Sequence, residues 1–113
     1  MNDVYIMSAN RSAIGGFGGK LKKFCPVDLG TLVAKEAITR SGYDAEEVEH
    51  AVFGNVIHTE PRDMYVSRVI ALQAGMGKES AALTVNRLCG SGLQAIISAI
   101  QLLTLGDANI TIV

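Results

Sequence analysis

Apolar and polar positions follow one another along this chain in blocks whose period switches between two and about three and a half residues. Val4-Tyr5-Ile6-Met7, closed by Ser8-Ala9-Asn10, predicts a buried first strand. Between residues 11 and 25 the run of Gly15, Gly16, Gly18 and Gly19, followed by Lys20, Lys22 and Lys23, breaks any periodicity and predicts an irregular loop. Pro26 suits a first helical turn, Leu29, Leu32, Val33, Ala37 and Ile38 share one face, and Ser41-Gly42 supplies a stop, so residues 26–41 read as an amphipathic helix. Asp44 and Glu47 have capping-box spacing for one short turn. Residues 51–56 then read as a second strand, Thr59 to Asp63 as a polar loop containing Pro61, Met64 to Ala74 as a helix, and Leu83 to Asn86 as a third strand.

The segment from Gly92 to Leu105 behaves differently. Leu93, Ala95, Ile96, Ile97, Ala99, Ile100, Leu102 and Leu103 wrap nearly the whole circumference of a helix, which predicts burial on most sides. Gln94, Ser98 and Gln101 interrupt it, and it falls short of the ~20 apolar residues of a membrane span. A last strand is expected over 109–113. Strands alternating with helices at crossover length predict an α/β layered fold with a mainly parallel sheet and this apolar helix as its buried centre. An all-round apolar helix and a strand still open at Val113 ask for more layers than 113 residues supply, so the chain reads as a half-domain of something larger.

Composition narrows the function classes. Hydrophobic residues make up 49% and charged residues 19%, outside the range of disordered chains. A net charge of −1 with no basic block argues against nucleic acid and anionic membrane as partners. Cys25 and Cys89 are too few for a disulfide scaffold, and no Cys/His spacing suggests a metal site. Both thiols are expected to be reduced, in a cytoplasmic setting without a signal peptide.

Cys89 is the candidate for chemistry. It lies between a strand and the start of the apolar helix, in Asn86-Arg87-Leu88-Cys89-Gly90-Ser91-Gly92-Leu93-Gln94-Ala95. The unpaired N–H groups and positive dipole end of a helix N-terminus favour a thiolate, and the same N–H groups can stabilise an oxyanion. Gly90 and Gly92 are expected to let a substrate approach and the chain bend sharply from strand to helix. A cysteine in apolar surroundings is also common as inert filler, so position alone leaves both readings open.

That segment resembles the nucleophile motif of the thiolases, the acyl-CoA C-acyltransferases. Arg11 to Leu21 resembles their N-terminal glycine loop, Phe53-Gly54-Asn55-Val56 the end of their second strand, and Leu83-Thr84-Val85-Asn86 the approach to the nucleophile. The resemblance implies that Cys89 accepts an acyl group from an acyl-CoA as a thioester and passes it to the α-carbon of a second acyl-CoA, or runs the reverse thiolysis. It implies that the backbone N–H of Cys89 helps form an oxyanion hole. Coenzyme A thioesters enter as substrates, and no bound cofactor is implied. It further implies a histidine, a second cysteine and an asparagine-bound water supplied from beyond the nucleophile helix, together with a CoA-binding region and a C-terminal domain outside residues 1–113. A homodimer or homotetramer joined through the strand Leu83 to Asn86 is implied as well.

Two rival readings stand beside it: a ketoacyl-synthase-like condensing enzyme, which also loads a cysteine at a helix start, and a non-catalytic thiolase fragment that only folds and dimerises. His50 and His58 match no catalytic position of the family and read as surface or interface histidines. The glycine loop fails as a phosphate cradle, because Ile14 and Leu21 stand where a P-loop needs Gly and Ser or Thr. Cys25, before Pro26, reads as structural, and Lys20, Lys22 and Lys23 as a solvated face. His58 and Glu60-Pro61-Arg62-Asp63-Met64 depart from the commoner thiolase wording.

Overall fold

A computed structural model describes residues 3–113. Helix α1 (Pro26–Ser41) is followed by a 3-10 turn at Ala45–Glu47, strand β1 (His50–Gly54), a second 3-10 turn at Pro61–Tyr65, helix α2 (Val66–Ala74), strand β2 (Ala81–Val85), helix α3 (Ser91–Leu105) and strand β3 (Thr111–Ile112). The three strands form a parallel sheet in the order β2-β1-β3. Successive strand residues face opposite sides. Ala51 therefore joins the core that α1 and α2 build with Ile112, while its neighbour Val52 is buried on the other side against Ala95 and Ala99 of α3. The result is an α/β sandwich of helices, sheet and helix, as expected.

Helix α1 starts where Pro26 needs no hydrogen-bond partner for its nitrogen and stops at Gly42, whose φ of 81° is cheap only for glycine. Its buried face is Val27, Thr31, Ala34 and Ile38, so Leu32 of the expected face is turned out to solvent. The reason is close approach: a Cβ on Gly30 would come within 2.4 Å of Ile70 Cδ1, so the small residues of α1 seat it on α2 in preference to the larger leucine. The Glu47 carboxylate accepts the Asp44 N–H at 2.8 Å, closing the short turn anticipated there.

One expected strand is absent. Val4 to Met7 pairs with no strand, and Ile6 is 84% exposed. A β-forming run becomes a strand only beside a neighbour with free N–H and C=O groups. Here the segment is instead tied along α1, by Ser8 Oγ donating to the Ala37 carbonyl at 2.7 Å and Asn10 Nδ2 to that of Val33 at 3.1 Å. The helix expected over Met64 to Ala74 is α-helical only from Val66, because Pro61–Tyr65 winds as a 3-10 turn around Asp63.

Helix α3 also departs from expectation. Ser91, Ala95 and Ala99 are buried, whereas Leu93, Ile96, Ile97, Ile100 and Leu105 are exposed. A three-stranded sheet covers one side of a helix only, and among the described residues no second layer covers the rest. Leu88–Leu105 is apolar enough over 18 residues to resemble a membrane span. The helix itself has 15 residues, a rise of about 22 Å against a hydrocarbon core of about 30 Å.

Candidate active site

The C-terminal ends of β1 and β2 converge on the turn that carries Cys89. Asn55 N–H donates to the Val85 carbonyl at 3.0 Å, extending the parallel ladder one step past Gly54. Gly54 is required there, because a Cβ would lie 2.8 Å from the Ser91 carbonyl carbon and 2.9 Å from its Cβ and O. The end of β1 thus touches the first turn of α3, and only glycine lets it do so.

Between Val85 and Ser91 the chain reverses within five residues. Ser91 Oγ accepts the Arg87 N–H at 2.8 Å and donates to the Leu88 carbonyl at 2.7 Å. Gly90 N–H donates to the Arg87 carbonyl and Ser91 N–H to that of Leu88, both at 3.0 Å. Asn86 Oδ1 accepts the Leu88 N–H at 3.0 Å, and Asn86 Nδ2 donates to the Val56 carbonyl at 3.3 Å. Arg87 Nη1 reaches Gln94 Oε1 in the second turn of α3.

The bend is made by an unexpected residue. Leu88 has φ +46°, among the described residues the one non-glycine in the left-handed region, at a cost of about 1–3 kcal/mol. Gly90 has φ −90° and Gly92 lies in the helix, so neither glycine supplies the turn assigned to them from sequence. Gly92 does leave open space, with nothing within 4 Å of where a Cβ would stand. Leu88, Asn86, Ser91 and Gly54 are the residues that sequence reasoning missed. The signal for one was present, since Asn two residues ahead of a turn residue is a common way to cap a backbone N–H.

Cys89 follows the strained residue and is exposed. Among the described residues no side chain hydrogen-bonds its thiol and no acceptor takes its N–H. An exposed sulfur beside a free backbone N–H at a helix start is the arrangement needed to attack a carbonyl and hold the resulting oxyanion.

The second thiol is built differently. Cys25 leads into α1 half-buried, with Arg62 Nη2 3.5 Å from its sulfur. The Asp28 N–H favours its thiolate most, but the Asp28 carboxyl, desolvation and Glu60 together outweigh that and push the thiol above its usual range.

The loop that leaves β1 runs beside the turn. Asp63 is fully buried and its Oδ2 accepts the Thr59 N–H at 2.7 Å, the Thr59 hydroxyl at 2.8 Å and the Glu60 N–H at 3.1 Å. Burial, the largest influence, pushes this carboxyl up, yet the bonds from Thr59 and Glu60 prevail and hold it below the usual carboxylate range. Asn55 Nδ2 donates to the Asp63 carbonyl at 3.1 Å, closing the loop on itself. His58 sits exposed in this loop, while His50 begins β1 at the opposite end of the sheet. Neither hydrogen-bonds Cys89.

Comparison with known proteins gives the same picture along the whole chain. The family model described as "Thiolase, N-terminal domain" matches residues 4–113. Beta-ketothiolase BktB of Cupriavidus necator is 54% identical over 110 residues, covering 97% of this chain and 28% of its own length. The human mitochondrial 3-ketoacyl-CoA thiolase is 35% identical over 112 residues, covering 99% of this chain and 28% of its own. A crystal structure of that human enzyme in complex with CoA superposes with a TM-score of 0.89 at 36% identity, over 92% of this chain and 26% of that one. The acetyl-CoA acetyltransferase of Bacillus anthracis superposes with a TM-score of 0.85 at 39% identity, over 91% of this chain and 26% of that one. The chain spans about 28% of the length of the curated relatives it matches.

Proposed function

The chain belongs to the thiolase family as its N-terminal domain, and from that footing we propose that it carries the acyl-accepting nucleophile of an acyl-CoA C-acyltransferase. The observation that carries the reading is Cys89: an exposed thiol with a free backbone N–H, set by a strained turn at the start of α3.

In the forward direction the Cys89 sulfur attacks the thioester carbonyl of one acyl-CoA. The carbonyl oxygen becomes an oxyanion, to which the Cys89 N–H donates. Collapse of the tetrahedral adduct breaks the bond to the coenzyme A sulfur, which leaves and takes up a proton, and the acyl group remains on Cys89. The α-carbon of a second acyl-CoA, once deprotonated, then attacks the Cys89 thioester. A carbon–carbon bond forms and the Cys89 thiolate leaves, giving a 3-ketoacyl-CoA; thiolysis runs the same steps backwards. Coenzyme A thioesters are substrates in this scheme. In this scheme the base and acid are side chains other than those of these residues.

The full-length polypeptide incubated with acetyl-CoA and quenched in acid is expected to gain the mass of one acetyl group, mapped by peptide mass spectrometry to Cys89. Acylation elsewhere, or none, would remove the reading.

The same reading joins two copies of the protein through β2, which is an edge strand among the described residues. Ala81 N–H donates to the Glu49 carbonyl at 2.9 Å and the Val85 carbonyl accepts from Asn55 at 3.0 Å, so residues 81, 83 and 85 turn their backbone groups towards β1. In a parallel ladder the alternate residues 82, 84 and 86 then turn theirs outward. A dimer formed by pairing this edge with its symmetry mate depends on those outward groups. Ala82→Pro removes one outward donor at an edge position where proline is tolerated. The full-length variant is expected to sediment as a smaller species than the unsubstituted protein with its circular dichroism unchanged; an unaltered sedimentation profile would count against the edge.

A further inference from the structure

We propose that Asn86 is a positioning residue for Cys89, its amide spanning from the Val56 carbonyl to the Leu88 N–H and so holding Leu88 in the left-handed conformation that presents the thiol. The proposal rests on the reading of Cys89 as the acyl acceptor and adds to it the part that aims the sulfur.

Leu88 is a γ-branched residue at φ +46°, a conformation that its own side chain opposes. Such a residue stays in place only where its surroundings over-determine it. Both of its backbone polar groups are held: the N–H by Asn86 Oδ1 at 3.0 Å, and the carbonyl by Ser91 Oγ at 2.7 Å and Ser91 N–H at 3.0 Å. The Ser91 bonds belong to the start of α3 and form with the helix. The Asn86 bond alone ties Leu88 back to the strand side of the turn.

Asn86 in turn is oriented by its second bond, from Nδ2 to the Val56 carbonyl at 3.3 Å. Val56 lies in the loop anchored by the buried Asp63 carboxylate on Thr59 and Glu60 and by Asn55 on the Asp63 carbonyl. The aim of the thiol is thereby referred to the rigid end of the sheet. Asn suits the task because its oxygen accepts while its nitrogen donates, with one short linkage between them. An ionised Asp has no donor, and Ser or Thr offers a single oxygen in place of two separate atoms.

The test uses the full-length polypeptide and reads single-turnover thioester formation at Cys89, alongside steady-state kcat and KM. Asn86→Ala is expected to slow acylation on the order of 10²-fold, as a misaimed reacting atom does, with KM little changed. Asn86→Ser keeps an oxygen for the Leu88 N–H but not the span to Val56, and is expected to recover part of that loss. Leu88→Gly provides the discriminating background, because glycine adopts a positive φ without strain. In it, Asn86→Ala is expected to cost less than about tenfold, the mark of coupled residues.

Equal losses in both backgrounds would overturn the proposal, since Asn86 would then act merely by joining two segments. Acylation of Asn86→Ala at the unsubstituted rate would overturn it too. If Asn86→Ala fails to fold by circular dichroism, Asn86→Leu, close to Asn in size and without either hydrogen bond, carries the comparison; failure of both to fold would make the residue a general support of the fold and end the proposal. Absence of a thioester on the unsubstituted protein would instead remove the acyl-transfer reading, and this proposal with it.

Discussion

Replacing Cys89 with Ser in the full-length polypeptide is expected to lower acyl transfer on the order of 10⁴–10⁶-fold, the scale on which enzymes lose rate when their nucleophile is removed. The fold should not suffer. Cys89 is exposed, its sulfur takes part in no hydrogen bond among the described residues, and oxygen for sulfur leaves the turn at Leu88 and Ser91 as it was. What changes is the nucleophile: a hydroxyl is far less ionised than a thiol near neutral pH and exchanges poorly with a thioester. The measurement is kcat/KM for condensation or thiolysis, with intact mass recording whether an acyl group is retained. Cys25→Ala serves as the internal comparison and should retain both activity and acylation, because that thiol lies at the start of α1 beside Arg62. A Cys89→Ser protein within about tenfold of the unsubstituted rate would place the nucleophile elsewhere.

Gly54→Val is expected to destabilise the protein by about 1–3 kcal/mol and to slow acylation of Cys89 at the same time. At Gly54 a Cβ would strike Ser91 at 2.8–2.9 Å, and two of the three atoms it meets are backbone, which cannot swing aside as a flexible side-chain end can. Relief requires α3 to retreat from the end of β1. Ser91 moves with the helix, and its hydroxyl is what holds the Arg87 N–H and the Leu88 carbonyl. A change in a strand 35 residues away in sequence therefore reaches the thiol through packing. Denaturant midpoints of the two proteins and the amplitude and rate of thioester formation check the two effects together. Gly92→Ala provides the contrast, since open space at that position predicts no comparable loss of stability. An unchanged midpoint for Gly54→Val would deny the close approach.

Much of this architecture is legible in the order of residues. Pro26 and Gly42 bracket α1 because one needs no donor and the other accepts a positive φ, and both constraints are local. β1 and β2 stand out as short apolar runs between turn residues, displaced by one or two residues from their expected limits, because strand ends depend on where the neighbour's backbone stops. Val4 to Met7 has the composition of a strand and is none, because pairing is a property of two segments, and the chain just after it is tied to the carbonyls of α1 by the side chains of Ser8 and Asn10. The face of α1 was misjudged for a related reason: periodicity locates the apolar stripe, but the fit of Gly30 against Ile70 decides which part of it is buried.

The candidate site divides along the same line. Cys89 is readable because a thiol between a strand and an apolar helix, flanked by small residues, is a pattern along the chain, and the family likeness runs through the same residues. The sequence by itself determined the alternation of helices and strands, the parallel layered fold and the candidate nucleophile, since each follows from short-range periodicity, steric limits or residue chemistry. Only the tertiary structure decided that Leu88 rather than a glycine makes the turn, that Asn86 and Ser91 hold it from opposite sides, and that Gly54 must lack a side chain. Those are distances between segments 30 or more residues apart for Asn86 and Val56 and for Gly54 and Ser91, set when β1 comes to rest against β2 and α3.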